Sequence, residues 1–279
     1  MNPRNPLVSA SWLFDHLSDD NLILLDATTE NSAVGEPLNL PRTYIPNSQP
    51  FDLEKVFVDL SNPLPNTMPT PEHFQQHARL LGINQDSVVV IYDARAWYSA
   101  PRAWWIFKSM GFDNVYVLDG GLPAWINLGY NVTNSYSQQN RSVGNIKATY
   151  FPENVLGAGD VLAAIDDPQT QIIDVRSQDR FLGKVAEPRE GMRSGHIPNS
   201  SNLPFPNVLD GLQFKDQDSL KALFEQAAWK ADLKQIVSCG SGMTACITIL
   251  AAYACGYQNL AVYDGSWSEW GANPDLPIA

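Results

Sequence analysis

One cysteine in this sequence precedes a loop with few side chains, an arrangement that suits nucleophilic chemistry. The stretch SCGSGMTA, Ser238 to Ala245, places Cys239 ahead of two glycines, a serine and a threonine. The β-branched residues of QIV come before it, and the apolar stretch CITILAAYACGY follows it. This pattern predicts a strand, a short turn and the start of a helix, with Cys239 at the end of the strand.

The loop after Cys239 is expected to bind negative charge. Gly240 and Gly242 let the backbone curl so that consecutive N–H groups point inward, and a helix start adds further unpaired donors. Such donors, together with the positive end of the helix dipole, would stabilise a thiolate or the outer sulfur of a persulfide. The hydroxyls of Ser241 and Thr244 could add hydrogen bonds, or Thr244 could cap the helix instead.

The composition limits the classes of partner. The 279 residues carry a net charge of −12, which argues against nucleic acid and anionic membranes as partners, because phosphate binding requires a basic face. An anionic substrate would therefore need locally placed arginines. No apolar run approaches the roughly 20 residues that span a bilayer, and the N-terminal stretch lacks the features of a signal peptide. We expect a cytoplasmic protein.

The cysteine count indicates neither a metal site nor a disulfide framework. The chain has three cysteines, an odd number, and none lies in a spacing typical of zinc ligands. Cys246 and Cys255 fall in the apolar stretch after Cys239, so we expect both to be buried structural residues. The sequence therefore predicts no metal and no cofactor.

The two halves of the chain resemble each other. Leu25-Asp26, YIPNS and VYVLDGGLPAW in the first half match Ile173-Asp174, HIPNS and AVYDGSWSEW in the second, in the same order. Such self-similarity suggests a duplicated domain. In each half, short strands alternate with amphipathic helices, which predicts an α/β fold of two tandem domains, each a mostly parallel sheet flanked by helices. We expect domains over residues 1–135 and 156–279, with a polar linker over 136–155.

Aligning the two halves on VVVIYD and QIVSCG places Asp93 opposite Cys239. An aspartate cannot act as a thiol nucleophile. In open parallel sheets, ligands bind beyond the carboxyl ends of the strands, where Cys239 is expected to lie. The second half is therefore the expected catalytic domain, and the first half the non-catalytic one.

The loop CGSGMTA closely resembles the active-site loop of the 3-mercaptopyruvate sulfurtransferases, a family of two-domain relatives of rhodanese. The resemblance covers nearly the whole chain and includes YSAPRAWW, LDGGLPAW, EPREGMRSGHIP and YDGSWSEWG. It implies two rhodanese-like domains, the second catalytic. It also implies that Cys239 takes sulfur from 3-mercaptopyruvate as a persulfide and passes it to thioredoxin, a small thiol or cyanide, releasing pyruvate.

The resemblance assigns roles to individual residues. Cys239 and Ser241 would be catalytic. Arg180 in DRF and Arg189 in EPR would bind the keto acid's carboxylate, for which a guanidinium fork is well suited, although either arginine could instead pair with a neighbouring acid. The loop residues Gly240, Gly242, Met243 and Thr244 would complete the substrate site.

One expected element of the family is missing. Some members are proposed to use a serine–histidine–acid relay, with the serine in the cysteine loop and the histidine in the first half of the chain. In the segment SNPLPNTMPTPEHF, the residue before the methionine is Thr67 rather than histidine. Ser241 is present and Glu54 could be the acid, but the relay lacks its middle member. Either catalysis relies on the loop amides and the arginines, which we expect, or the relay proposal does not apply to this protein.

Three other functions compete with this interpretation. Thiosulfate:cyanide sulfur transfer uses the same chemistry, but such rhodaneses generally carry basic residues just after the cysteine, where this loop has Gly240 and Ser241. A non-catalytic persulfide carrier would need the thiol but not the two arginines. A cysteine-dependent phosphatase would need an arginine six positions after the cysteine, where this chain has Ala245.

Overall fold

The computed structural model describes residues 5–30, 42–137 and 142–279. The chain divides into two compact units. The first is drawn from Met1–Val58, Pro69–Tyr150 and Gly211–Gln213, and the second from Asp59–Met68, Phe151–Asp210 and Phe214–Ala279. The segment Asp59–Met68 thus groups with the second unit although it precedes most of the first in sequence. Residues 138–141 of the expected linker lie outside the described residues.

The described part of the first unit contains a parallel sheet with helices packed against it. Its strands are β1 (Leu7–Val8), β2 (Leu22–Asp26), β3 (Gln49–Pro50), β4 (Val88–Tyr92) and β5 (Val115–Leu118). Its helices are α1 (Ala10–His16), α2 (Pro71–Leu80), α3 (Ala100–Ser109) and α4 (Gly121–Asn127). The strand order is β1-β5-β4-β2-β3, and every pairing is parallel.

The central strands of this sheet are buried along their whole length. Every residue of β2 (LILLD) and β4 (VVVIY) is buried. Continuous apolar runs of this kind are typical of parallel strands covered on both faces. Helix α2 begins after Thr70, whose hydroxyl accepts a hydrogen bond from the main-chain N–H of His73 at 3.3 Å. Side-chain capping of this kind satisfies an N–H that the helix leaves unpaired.

The second unit contains a second parallel sheet. Its strands are β6 (Val155–Leu156), β7 (Thr170–Asp174), β8 (Ser201–Asn202), β11 (Lys234–Ser238) and β12 (Leu260–Tyr263), and the short strands β9 (Leu209–Asp210) and β10 (Gln213–Phe214) form a separate ladder. The helices are α5 (Ala158–Ala164), α6 (Gln178–Phe181), α7 (Gln217–Gln226), α8 (Ala245–Ala254) and α9 (Ser266–Trp270), with 3₁₀ turns at Pro152–Asn154 and Phe205–Val208. The main sheet has the order β6-β12-β11-β7-β8, all parallel.

The two sheets share one strand order. Strands β4 and β11 hold the same central place, and at their ends Tyr92 pairs with Asp26 while Ser238 pairs with Asp174. The next residue is Asp93 in the first unit and Cys239 in the second. The predicted α/β fold, with a parallel sheet and flanking helices in each half, is confirmed.

Helix α8 is apolar on all sides because it is buried on all sides. Its residues from Ala245 to Ala252 are all buried, including Cys246. Cys255 lies just beyond the helix and is only partly buried, so the expectation that it is a core residue was wrong. Its burial is still sufficient to raise the pKa of the Cys255 thiol.

Two further features of the described residues bear on function. None of the helices is both long enough and apolar enough to cross a membrane. Within the same ranges, no three histidine, cysteine or acidic side chains gather in a way that could hold a metal ion.

Candidate active site

Cys239 lies in the loop between β11 and α8, at the carboxyl edge of the second sheet. Its side chain is buried, with the residue 1% exposed, and it directly follows Ser238, the last residue of β11. Gly242 has a φ of +75°, in the left-handed region that favours glycine. This allows the chain to turn sharply before α8 begins at Ala245. The predicted strand–turn–helix around Cys239 is confirmed.

The hydroxyl of Ser266 forms hydrogen bonds with the backbone of this loop. Ser266 Oγ accepts hydrogen bonds from the main-chain N–H groups of Cys239 at 3.1 Å and Gly242 at 3.2 Å. It donates its own hydrogen to the carbonyl oxygen of Tyr263 at 2.7 Å. Ser266 Oγ lies 3.9 Å from Cys239 Sγ, but its only hydrogen is already engaged. Its role is therefore to fix the loop backbone around the sulfur.

The loop amides are only partly available to bind an anion. Two of them, from Cys239 and Gly242, are bonded to Ser266, which the sequence did not indicate. The N–H groups of Gly240, Ser241, Met243 and Thr244 have no acceptor within the part of the chain that the structure describes. These four groups are the donors that the loop can offer to negative charge.

Ser241 is contacted by Asn66, which lies in the segment Asp59–Met68 of the second unit. Asn66 Nδ2 lies 3.1 Å from both the carbonyl oxygen and the Oγ of Ser241. Thr67, identified from the sequence as standing in for the family's histidine, is buried and donates through Oγ1 to the carbonyl of Asp59 instead. Asn66, not Thr67, is therefore the residue of this segment that contacts Ser241. The carboxylate of Glu54, the suggested acid, accepts from the main-chain N–H of Glu30 in the first unit.

Arg180 reaches the loop from helix α6. A Cβ placed on Gly240 would lie 3.5 Å from Arg180 Nη2, so the guanidinium lies about one side-chain atom away from this glycine. Nε and Nη2 of Arg180 both donate to the carboxylate of Glu187. This two-point pair fixes the plane of the guanidinium. Nη1 has no acceptor in the described ranges and remains available to a ligand.

Glu187 belongs to a buried network of charges. Its side chain is 1% exposed, and it also pairs with Arg176 at 2.8 Å. Arg176 is itself bonded to both oxygens of Asp174, and its guanidinium lies 3.9 Å from the centre of the Trp267 ring. Arg180 is thus anchored through Glu187 to the end of β7 and to helix α9.

Arg189 reaches the same loop residue by another route. Its Nη1 donates to Ser268 Oγ. Ser268 in turn donates to the carbonyl oxygen of Gly240, through Oγ at 2.6 Å and through its main-chain N–H at 2.9 Å. The structure therefore places Arg180 beside Gly240, next to Cys239, and links Arg189 to the same glycine through Ser268.

Met243 and Thr244 form the last part of the loop. Met243 is buried, and its carbonyl accepts a hydrogen bond from the N–H of Cys246 at 3.2 Å. Thr244 occupies the N-cap position of α8, yet its hydroxyl makes no capping hydrogen bond. The alternative that Thr244 acts through side-chain capping is therefore wrong.

The matching loop of the first unit encloses a carboxylate. Asp93 is fully buried and accepts hydrogen bonds from the main-chain N–H groups of Arg95, Ser99 and Ala100, at 2.7 to 2.9 Å. Burial raises the pKa of the Asp93 carboxyl, and the three amide donors partly offset this effect. The first unit therefore retains the amide-lined loop but fills it with its own side chain.

Comparison with known proteins identifies the family. The sequence profile described as "Rhodanese-like domain" matches residues 9–128 and again residues 157–273. The chain belongs to the rhodanese-like domain family. The second matched range contains the Cys239 loop and both arginines.

Relatives of this rhodanese-like chain match it almost from end to end. The 3-mercaptopyruvate sulfurtransferase of Escherichia coli K12 is 38% identical over 97% of this chain and 96% of its own length. The mitochondrial thiosulfate/3-mercaptopyruvate sulfurtransferase 1 of Arabidopsis thaliana is 36% identical, over 100% of this chain and 79% of its own. The crystal structure of SseA from Escherichia coli superposes with a TM-score of 0.80 at 34% identity, covering 95% of this chain and 100% of that one.

Sequence reasoning missed three polar residues of this rhodanese-like site. Ser266 and Ser268 lie in YDGSWSEWG, a stretch that carried the resemblance but was given no role. Asn66 lies 175 positions from Ser241, and no local pattern joins the two. For Ser266 and Ser268, the internal repeat gave a usable signal. In both halves an Asp-Gly pair follows the strand next to the central strand, so the residues after this pair lie close to the loop that follows the central strand.

Proposed function

We propose that this protein is a sulfurtransferase that takes sulfur from 3-mercaptopyruvate onto Cys239 and passes it to a thiol or to cyanide. The observation that carries the proposal is that Arg180 lies beside Gly240 and Arg189 is linked to Gly240 through Ser268, one residue from a buried cysteine. Two guanidinium groups at this place suit a small carboxylate, which a protein of net charge −12 would otherwise repel. The name of the E. coli relative supports the same donor.

In the first half-reaction, the Cys239 thiolate attacks the sulfur of 3-mercaptopyruvate. A sulfur–sulfur bond forms and the carbon–sulfur bond breaks, with its electron pair moving into the enolate of pyruvate. The former substrate thiol hydrogen ends on the enolate carbon, so the products are pyruvate and an anionic cysteine persulfide. The loop N–H groups and the hydroxyl of Ser241 stabilise the charge that develops on oxygen and on sulfur.

In the second half-reaction, an acceptor attacks the outer sulfur of the persulfide. A thiol such as thioredoxin becomes a persulfide, cyanide becomes thiocyanate, and Cys239 returns as the thiolate. We propose a thiol acceptor in a reducing compartment such as the cytoplasm, and this is supported by three cysteines that form no disulfide. The likeness of the two halves is consistent with a duplicated domain in which the second copy does the chemistry.

Thiosulfate is the second candidate donor, since the name of the Arabidopsis relative includes it. The surroundings of Gly240 favour 3-mercaptopyruvate over thiosulfate as the sulfur donor. A basic side chain at this position, as thiosulfate-using rhodaneses carry, would begin 3.5 Å from the guanidinium of Arg180 and bring like charges together.

The test is the ratio of kcat/KM for the two donors, measured as pyruvate release with a thiol acceptor and as thiocyanate formation with cyanide. We expect the wild type to favour 3-mercaptopyruvate, Cys239→Ser to be inactive with both donors, and Arg180→Ala to lose mainly kcat/KM. A wild type that turns over neither donor would favour a persulfide carrier, and one that prefers thiosulfate would favour a rhodanese.

A further inference from the structure

Asn66 contacts the loop of Cys239 from a turn whose ends are held by hydrogen bonds. The N–H of Asp59 donates to the carbonyl of Thr67 at 3.2 Å, and Thr67 Oγ1 donates back to the carbonyl of Asp59 at 3.2 Å. The N–H of Met68 donates to Asp264 Oδ2 at 2.7 Å. Asn66 has a φ of +61°, a left-handed conformation that asparagine adopts more readily than most residues. The backbone therefore holds the Asn66 side chain at a fixed place.

The carbonyl of Ser241 determines which end of the Asn66 amide faces the loop. A carbonyl oxygen only accepts, so the atom 3.1 Å from it must be the NH₂ group. This group has two hydrogens to donate, and the carbonyl oxygen and Oγ of Ser241 both lie 3.1 Å from its nitrogen. Ser241 Oγ is thus an acceptor towards Asn66. Its own hydrogen has no acceptor among the described residues and can be donated to a ligand.

We propose that Asn66 is a positioning residue that orients Ser241 as a hydrogen-bond donor to the substrate oxygen on which enolate charge develops. This inference rests on the proposed function. An amide takes no proton near neutral pH, so Asn66 cannot draw the hydrogen from Ser241. Ser241 keeps its proton while the carbon–sulfur bond breaks and the electron pair moves into the enolate. A fixed neutral donor therefore stands where some members of the family are proposed to use a serine–histidine–acid relay.

A double-mutant cycle tests whether Asn66 acts through Ser241. Pyruvate release from 3-mercaptopyruvate is measured for Asn66→Ala, Ser241→Ala and the double variant. We expect Ser241→Ala to lower kcat by about 100-fold, as for loss of one oxyanion donor, and Asn66→Ala to lower it by about 10-fold, with little change in KM. The double variant should be no slower than Ser241→Ala. Effects that multiply in the double variant would overturn the inference.

Asn62→Ala is the matched control. Asn62 lies in the same turn and accepts a hydrogen bond from the N–H of Leu64 at 3.0 Å, within the turn itself. We expect the kcat of Asn62→Ala to stay near that of the wild type. If this variant lost as much kcat as Asn66→Ala, the fold of the turn and not the amide would be responsible, and the inference would fail.

Asn66→Asp separates hydrogen-bond donation from side-chain size. A carboxylate has the same shape but no donor, so it would repel the Ser241 carbonyl and accept the hydrogen that Ser241 should give to the substrate. We expect a kcat below that of Asn66→Ala, and a kcat equal to that of the wild type would contradict the proposal. Failure of the proposed function is distinguishable, because then the wild type itself releases no pyruvate from 3-mercaptopyruvate.

Discussion

At the scale of single residues, the cysteine loop depends on one hydroxyl behind it. Ser266 satisfies two buried N–H groups of the loop and the carbonyl of Tyr263 at the same time. It does so with a φ of +49°, which is unusual for a residue other than glycine. Such strain persists where the surrounding contacts outweigh it.

We expect Ser266→Ala to destabilise the fold and to slow sulfur transfer. The two N–H groups lose their acceptor, which costs about 1–3 kcal/mol for each buried group left unsatisfied. Ser266→Gly removes the same hydroxyl but relieves the positive φ, so it should lose less stability and as much kcat. Urea denaturation and steady-state kinetics measure both. Wild-type kcat in the glycine variant would show that the backbone, not the hydroxyl, matters.

We expect the absence of a side chain at Gly240 to determine which sulfur donor the protein prefers. A Cβ there meets Arg180 Nη2 at 3.5 Å, an ordinary contact distance, so Gly240→Ala should keep near wild-type kcat/KM for 3-mercaptopyruvate. Gly240→Lys brings an ammonium group beside the guanidinium and should lower kcat/KM for 3-mercaptopyruvate relative to thiosulfate. Parallel kinetics with the two donors give the ratio, and an unchanged ratio in the lysine variant would refute this explanation.

At the scale of elements, a buried chain of charges links α6 to the sheet. Asp174 at the end of β7 binds Arg176, and Glu187 bridges Arg176 and Arg180. The equivalent place in the first unit differs, because Thr28 stands two positions after Asp26 where Arg176 stands two positions after Asp174. In the first unit, the hydroxyl and the N–H of Thr28 both donate hydrogen bonds to the carboxylate of Asp26. At the place of Arg176, the first unit thus has a hydroxyl and not a guanidinium.

We expect Glu187→Gln to lower the free energy of unfolding by about 3 kcal/mol, as when one partner of a buried ion pair is removed. Arg180 would also lose its two-point anchor, so KM for 3-mercaptopyruvate should rise. Glu190→Gln, a change at an exposed neighbour, should stay within about 0.5 kcal/mol of the wild type. Chemical denaturation compares the two variants, and equal losses would argue against a special role for Glu187.

Local patterns predicted the elements well, and the contacts between distant elements poorly. The β-branched run and the glycines around Cys239 correctly gave a strand, a turn and a helix, because those choices depend on neighbouring residues. The pinning of two loop amides by Ser266 depends on α9 packing behind the loop, 27 positions away. In the same way, counting from the methionine selected Thr67, whereas the left-handed turn brings Asn66 to Ser241.

At the scale of the whole molecule, buried carboxyls in the first unit make stability depend on pH. Burial raises the pKa of Asp26 above its ordinary value, and hydrogen bonds from Thr28 and Tyr136 partly offset the effect. The folded state therefore binds this proton more tightly than the unfolded state. The resulting stability is fully present below the unfolded pKa of about 3.9 and is lost as pH rises through the folded value.

We expect Asp26→Asn to flatten the fall in the free energy of unfolding as pH rises from about 4. An asparagine can still accept from Thr28 and can donate to Tyr136, so its hydrogen bonds are retained. Asp216→Asn is the control of opposite sign, because a hydrogen bond from the Ser219 amide lowers the pKa of the exposed Asp216. Urea denaturation between pH 4 and 7 measures these slopes, and an unchanged slope in Asp26→Asn would exclude Asp26 as their source.

The side chain of Asp93 also limits how many sulfur atoms one chain can carry. Since the buried side chain of Asp93 fills the first loop and accepts three of its amide hydrogens, that loop can neither store a sulfur atom nor admit a small acid from solution. A chain mixed with 3-mercaptopyruvate and no other thiol or cyanide should therefore release one equivalent of pyruvate in its first turnover and gain about 32 mass units once, at Cys239.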